Sequence, residues 1–324
     1  MARVYSEGFE FASLLCIAAS SGTPTFSAGT VRSGTYALSL VGISADLNLE
    51  AGYTEFYARV CLRVASGGAY VRFRDNAAHQ CFGIFFDNAT PVVRIINSAS
   101  AVVASSTNTW AYNTWYVLEV YYNSVGSTIS VRVDGDAWVS VAAALTYTSC
   151  YFLRLETTGG TTTFFDDIAV NDPTGAEQNS WPGDGHIVLL LPDGIGSHTD
   201  LTPSAAVDNY TLVDEVPNDG DTTYVSGAVD TNYDQYAMAT LTIPANHVIA
   251  VVWTKATARA ESAGADGLLL GVRTEGTDFW SAKKTLGTAY TEHKGVYYSL
   301  NPQTGLAWTQ GELDAVEVGV QLTA

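Results

Sequence analysis

Phe164–Gly185, FFDDIAVNDPTGAEQNSWPGDG, is the stretch whose reading decides the fold. Phe164, Phe165, Ile168, Ala169 and Val170 have the aromatic and β-branched content of a strand. Inside that run stand two adjacent carboxylates, Asp166 and Asp167, which are costly there unless exposed, hydrogen-bonded or metal-bound. Asn171, Asp172, Pro173, Thr174 and Gly175 follow, all turn formers. Trp181 and Pro182 precede another turn, Gly183-Asp184-Gly185, and a new apolar run opens at Ile187. The stretch therefore reads as the closing strand of one β-domain, a linker, and the start of another. The expected division is a first domain over 1–172, a linker over 173–185 and a second domain over 186–324.

Composition agrees with a β-rich chain. Its 324 residues are 47% hydrophobic, enough for two cores, with abundant Gly and only 2 Met. The net charge of −18 argues against a nucleic-acid surface. That charge is uneven: residues 1–172 hold 9 Arg, no Lys and 14 acids, or −5, leaving −13 for residues 173–324. The step supports a boundary near the opening stretch. No segment is long and apolar enough to span a bilayer, so no membrane insertion is expected. The short run Leu14–Ala19 follows Glu7 and Glu10 rather than a basic region, so it does not read as a signal peptide, and a soluble protein made in a cytoplasm is expected.

Period-2 alternation carries the secondary-structure reading. In Phe56–Val64, Phe56, Ala58, Val60, Leu62 and Val64 share one face, and Tyr57, Arg59, Cys61 and Arg63 the other. Further strands are expected over Thr35–Val41, Tyr70–Arg74, Cys81–Asp87, Val92–Asn97, Trp115–Asn123, Thr128–Val133, Trp138–Val141 and Cys150–Glu156. Asp134-Gly135 is a strong hairpin signal between two of them. The second half gives Ile187–Leu191, Asn209–Val213, Thr223–Val225, Gln235–Ile243, Val248–Ala260, Gly267–Glu275, Tyr290–Ser299 and Val316–Leu322. One short helix is expected near Thr309–Ala315, with Thr309 and Glu312 spaced as a capping box. The fold class is all-β: two antiparallel β-sandwich (jelly-roll) domains in tandem.

A family resemblance rests on a succession of short motifs. These are Phe9, Ser33-Gly34-Thr35-Tyr36-Ala37-Leu38, the run Thr114–Val120, Val131-Arg132-Val133-Asp134-Gly135, and Phe165-Asp166-Asp167-Ile168. In this order they resemble a concanavalin A-like jelly roll of the laminin-G type over roughly residues 1–172. The closing DDI strand, NDPTG, WPGDG and a second β-domain are similar to structural proteins of tailed bacteriophages. The resemblance implies a non-enzymatic virion structural protein, a head decoration or tail/fibre component, assembled in the host cytoplasm. Its partners would be other virion proteins, copies of itself in a homo-oligomer such as a trimer, and a surface glycan. The alternative is a carbohydrate-binding lectin module outside any virus particle.

The same resemblance implies a structural Ca²⁺ joining Glu7 or Glu10 to Asp166 or Asp167, with backbone and water completing its oxygen shell. The plainer reading is a capped or solvated edge strand. Arg59, Arg63, Arg72 and Arg74 project from the same side of two predicted neighbouring strands. If those strands pair, the arginines form an interaction patch for a carboxylate, an acidic partner or the second domain; otherwise they decorate a solvated sheet face. Tyr57 and Tyr70 add stacking surface there. Trp115 reads as core and Trp181 as packing in the joint between domains. Trp110 and Trp138 lie near strand ends, where they either line a sugar platform or pack at the core's rim. Cys16, Cys61, Cys81 and Cys150 have no metal-ligand spacing and read as free thiols, with a Cys61–Cys81 bridge left open. Neither HExxH nor GxSxG occurs.

Overall fold

The computed structural model describes residues 3–262, 264 and 266–324. It is antiparallel β throughout and divides into two compact units, Met1–Val188 and Leu189–Ala324. The first contains β1 (Arg3–Glu7), β2 (Ala19–Ser20), β3 (Thr25–Ser27), β4 (Ala37–Val41), β5 (Ser44–Tyr53), β6 (Glu55–Val64), β7 (Ala69–Arg74), β8 (Gln80–Asp87), β9 (Val92–Ile96), β10 (Val102–Thr109), β11 (Trp115–Asn123), β12 (Thr128–Val133), β13 (Asp136–Ala142), β14 (Cys150–Thr157) and β15 (Thr162–Asn171). They make two sheets. One runs β13-β12-β11-β6-β15-β4-β3, with β1 also on β15; the other runs β10-β9-β8-β7-β14-β5-β2.

The alternation in β6 explains why these sheets stack. Phe56, Ala58, Val60, Leu62 and Val64 are all essentially inaccessible and face Leu47, Phe73, Phe82, Ile84 and Leu153 of the other sheet in one core. The Phe56 ring lies 4.9 Å from Phe73 and 5.4 Å from Tyr122, centroid to centroid. Truncating such a ring to Ala costs about 3–5 kcal/mol. The Asp134-Gly135 turn joins β12 to β13 with both φ values positive, 53° and 85°, as a two-residue hairpin requires.

The two longest strands that escape the sequence reading in this unit are β5 and β10. In β5, Ala45, Leu47 and Leu49 are buried while Asn48 and Glu50 alternate with them, and the outward Asp46 is neutralised by Arg74 and Arg154. β10 is a largely exposed edge strand with little apolar patterning.

The second unit contains β16 (Pro192–Thr199), β17 (Thr202–Pro203), β18 (Val225–Ser226), β19 (Tyr233–Met238), β20 (Lys255–Ala258), β21 (Gly267–Thr274), β22 (Thr277–Trp280), β23 (Lys284–Thr285), β24 (Thr291–Lys294), α1 (Gln310–Asp314) and β25 (Glu317–Thr323). Its main sheet runs β16-β19-β25-β21-β22, with β23 on β21. The capping box forms as expected: Glu312 accepts from the Thr309 N–H at 2.7 Å, and Thr309 Oγ1 accepts from the Glu312 N–H. This short helix places Leu313 beside Trp308, Val316 and Val272 in a small core. Buried Asp234 ties the loops around β19 together, accepting from the N–H groups of Asp200 and Leu201, from Asn209 Nδ2 and from the Tyr236 hydroxyl. Several expected strands shrink here: Asn209–Leu212 is a 3₁₀ turn, and only Lys255–Ala258 forms a named strand within Val248–Ala260. Ile187–Leu191 forms none. Among the described residues, no helix is long and apolar enough to cross a membrane.

Candidate functional site

The paired carboxylates sit where β15 changes partner. Its first half pairs with β4 through Phe165, and its second half pairs with β1 from Ile168. Between them the register against β6 shifts, and Asp167 adopts φ 49°. Both carboxylates are fully buried. The turn before β4 fills the gap. Asp166 Oδ2 accepts from the Arg32 N–H at 2.9 Å and the Ser33 N–H at 3.3 Å, and Asp166 Oδ1 from the Asp167 N–H. Asp167 Oδ1 accepts from Ser33 Oγ and the Ile187 N–H, each at 2.7 Å, and Oδ2 from the Arg32 guanidinium.

Electrostatics separate the two acids. Burial, with the Asp167 charge beside it, pushes Asp166 up to about 8. Burial acts on Asp167 in the same sense but is outweighed by hydrogen bonds from His186 and Ser33, the Arg32 charge and the Ile187 N–H, which hold it below the ordinary range. Burial likewise pushes Glu10 up to about 7; its Oε2 accepts from the Thr35 N–H, and its Oε1 is buried without a hydrogen-bond partner.

This arrangement does not fit the expected calcium. The oxygens of Asp166 and Asp167 face N–H and O–H donors, and the Arg32 guanidinium supplies the positive charge. Glu7 Oε1 accepts from the Phe9 N–H. Among the described residues, no group of three or more His, Cys, Asp or Glu is arranged to hold a metal ion. At the bulge the Arg32 guanidinium is the cation that meets Asp167.

Residues 173–185, expected as a linker, are packed on the first unit as a strap across the outer face of β6 and β11. Arg59 Nε donates to Asp167 O and Nη1 to Gly183 O, while Glu119 Oε1 accepts from the Gly183 N–H. Asn171 Nδ2 donates to Ser180 O. The unit ends at Val188 rather than at 172 because this strap satisfies polar groups of the sheet.

The four arginines do not make one patch. β6 and β7 belong to different sheets, so Arg59 and Arg63 point out of one face of the sandwich and Arg72 and Arg74 out of the other. Each is engaged: Arg59 under the strap, Arg63 with Asn113 O, Arg72 with Glu156 and the Tyr70 ring, and Arg74 with Asp46. Tyr70 is stacked on Phe85 at 4.2 Å.

The strap creates a site that the arginine reading missed. Trp181 leaves it to pack edge-on against Tyr57, 5.3 Å between centroids, and Tyr57 stacks on Tyr121 at 4.6 Å. The Arg132 guanidinium lies over the Trp181 ring, 4.1 Å from its centroid. On β13 a bulge leaves Trp138 as the extra residue: Arg132 pairs with Ala137 and Val131 with Val139. The result is a surface cleft of about 380 Å³ lined by Ser130, Arg132, Trp138, Ser140 and Trp181. Trp138 also packs at the rim of the core, as one of its two sequence readings has it. Trp110 is buried in the core, and Trp115 is half-exposed rather than core. Trp181, expected in the joint between domains, packs on Tyr57 and Tyr121 of the first unit, a place that only strand pairing and the strap's course reveal. A smaller depression of about 270 Å³ lies in the second unit beside Leu201, Asn209 and Tyr236, where Asn209 is already bonded to Leu201 O and Asp234.

No family model matches the chain, and no curated protein matches it. Among solved structures it is similar to a carbohydrate-binding module, CBM66, from Bacillus subtilis, at 15% identity and TM-score 0.37 over 46% of this chain and 92% of that one. It is similar to the exoplasmic/lumenal domain of VIP36 in a Ca²⁺/Man3GlcNAc-bound form, at 11% identity and TM-score 0.40 over 55% of this chain and 92% of that one. A sialidase matches at 12% identity and TM-score 0.38 over 52% of this chain, which spans only 18% of the sialidase. Likenesses of this order concern the sandwich architecture alone.

Proposed function

We propose that the first unit is a non-enzymatic saccharide-binding module whose ligand lies in the cleft between Trp138 and Trp181. The observation that carries this reading is the depression itself: Trp181 of the strap and Trp138 of β13, from different parts of the chain, both line it together with Ser130, Ser140 and Arg132. Indole faces supply rigid apolar area that matches the C–H faces of pyranose rings, and a few placed polar groups fix orientation. The serines of the lining, Ser130 and Ser140, are already bonded to one another at 2.8 Å and retain further hydrogen-bonding capacity. No carboxylate lines the cleft, so the paired acids that glycoside hydrolysis uses are not at hand there.

The reading rests on this geometry and not on the similar structures, whose likeness stops at the fold. The cleft favours the alternative reading of the sequence, a carbohydrate-binding module, over the virion role that the motifs imply.

A glycan array followed by calorimetric titration of the best glycan tests the proposal. Trp181→Ala and Trp138→Ala should each weaken binding by about tenfold or more, with the melting transition of the second unit unchanged. Binding unaffected by both substitutions, or no glycan bound at high protein concentration, refutes it.

A further inference from the structure

The first unit contains 9 Arg, and their partners differ in one respect. Arg32, Arg72, Arg74, Arg94 and Arg154 are paired with carboxylates. Arg3, Arg59 and Arg63 donate to side-chain or backbone oxygens. Arg132 contacts only the face of Trp181: among the described residues its guanidinium makes no hydrogen bond and no ion pair. It is a cation held by a ring, with its donors unspent.

We propose that the saccharide bound in the Trp138–Trp181 cleft carries a carboxylate, as a uronic or sialic acid residue does, and that Arg132 receives it. This inference rests on the saccharide-binding reading of the cleft and narrows its ligand class. Its position over the Trp181 ring holds the guanidinium at the depression with its N–H donors unspent. A planar fork of N–H donors matches a carboxylate through two parallel hydrogen bonds, which an ammonium on a flexible stem does not reproduce. No acid lines the cleft to compete for those donors. The acid nearest in register, Glu119 opposite Arg132 on β11, is buried, and its Oε1 accepts from the strap's Gly183 N–H instead. Trp138, from the bulge on β13, lines the same depression.

The test is an array carrying carboxylated, sulfated and neutral glycans, followed by titration of the whole protein. The probes are 3′-sialyllactose and trigalacturonate, compared with lactose and methyl-esterified trigalacturonate. Binding of at least one acidic probe should exceed that of its neutral counterpart by about tenfold or more. Arg132→Gln should abolish that preference, and Arg132→Lys should restore it only in part. The melting transition of each variant checks that the first unit keeps its fold; where it moves, Ser130→Ala and Ser140→Ala, which leave the guanidinium in place, must retain the acid preference. Equal binding of acidic and neutral glycans, or preference for sulfated over carboxylated ones, overturns this inference and leaves the saccharide-binding reading standing. No binding anywhere on the array overturns both.

Discussion

Replacing Arg32 with Met tests whether an internal cation closes the first sandwich. The Arg32 side chain is only 9% exposed and Asp167 is fully buried, so Met would leave a carboxylate without its counter-ion. Removing one partner of a buried pair costs about 3–5 kcal/mol. Ser33 Oγ and the Ile187 N–H would still serve Asp167 Oδ1, which places the expected loss near the lower end, about 3 kcal/mol. For a unit of this size that corresponds to a fall in melting temperature of roughly 6–12 °C. Calorimetry on the whole protein should show the first unit's transition moving and the second unit's staying. The double variant Arg32→Met/Asp167→Asn should recover part of the loss, because it removes the stranded charge; a double-mutant cycle reads the coupling. A loss below about 1 kcal/mol, or strict additivity, would refute the internal-cation account. Chelation should leave both transitions where they are; a fall on chelation would restore the calcium reading.

Two further outcomes follow from the buried groups. Asp166 and Glu10, with pKa values raised to about 8 and about 7, keep protons in the folded state that the unfolded chain has released. Their stabilisation is fully present below about pH 4 and is lost as pH rises towards 8, so the first unit should melt higher at pH 5 than at pH 8. Asp166→Asn should flatten that slope, and a melting temperature that climbs over the same interval would contradict it. Among the cysteines, Cys61, Cys81 and Cys150 are inaccessible, and burial pushes the Cys61 thiol further up; Cys16 alone is partly exposed. Ellman titration should find one reactive thiol in the native protein and four after denaturation.

The sequence spoke most clearly where one face of a strand is buried and the other is not. Tyr70–Arg74 and Thr128–Val133 show this: period-2 alternation is the direct imprint of a half-buried sheet. It is faint at β10, an edge strand with little to bury, whereas β5 carries the same alternation, with Ala45, Leu47 and Leu49 inward against Asp46, Asn48 and Glu50, and was legible. The arginine patch failed for a topological reason. Val64 and Ala69 are joined by a short connection that looks like a hairpin, but the chain crosses there from one sheet to the other. Turn-forming residues at 171–185 describe a backbone that bends; they do not distinguish a free linker from a strap, because the difference lies in partners such as Arg59 and Glu119 far away in sequence. The cleft was half legible. Trp138 was a candidate, but its partner Trp181 becomes one only when the strap is laid on the sheet.

The strap has a consequence for the order in which the protein is made. Arg3 of the first strand bonds to Asn171, 168 residues later, and Asp167 must then wait for Ile187. A nascent chain cannot complete this sandwich until nearly all of the unit has left the ribosome. During that interval the edge of β4, the face of β6 and two acids destined for burial are open to water and to other chains. Contacts of such long sequence separation fold slowly, and exposed strand edges invite wrong pairing. The same residues that seal the finished unit thus define the period of synthesis in which it is most vulnerable to aggregation.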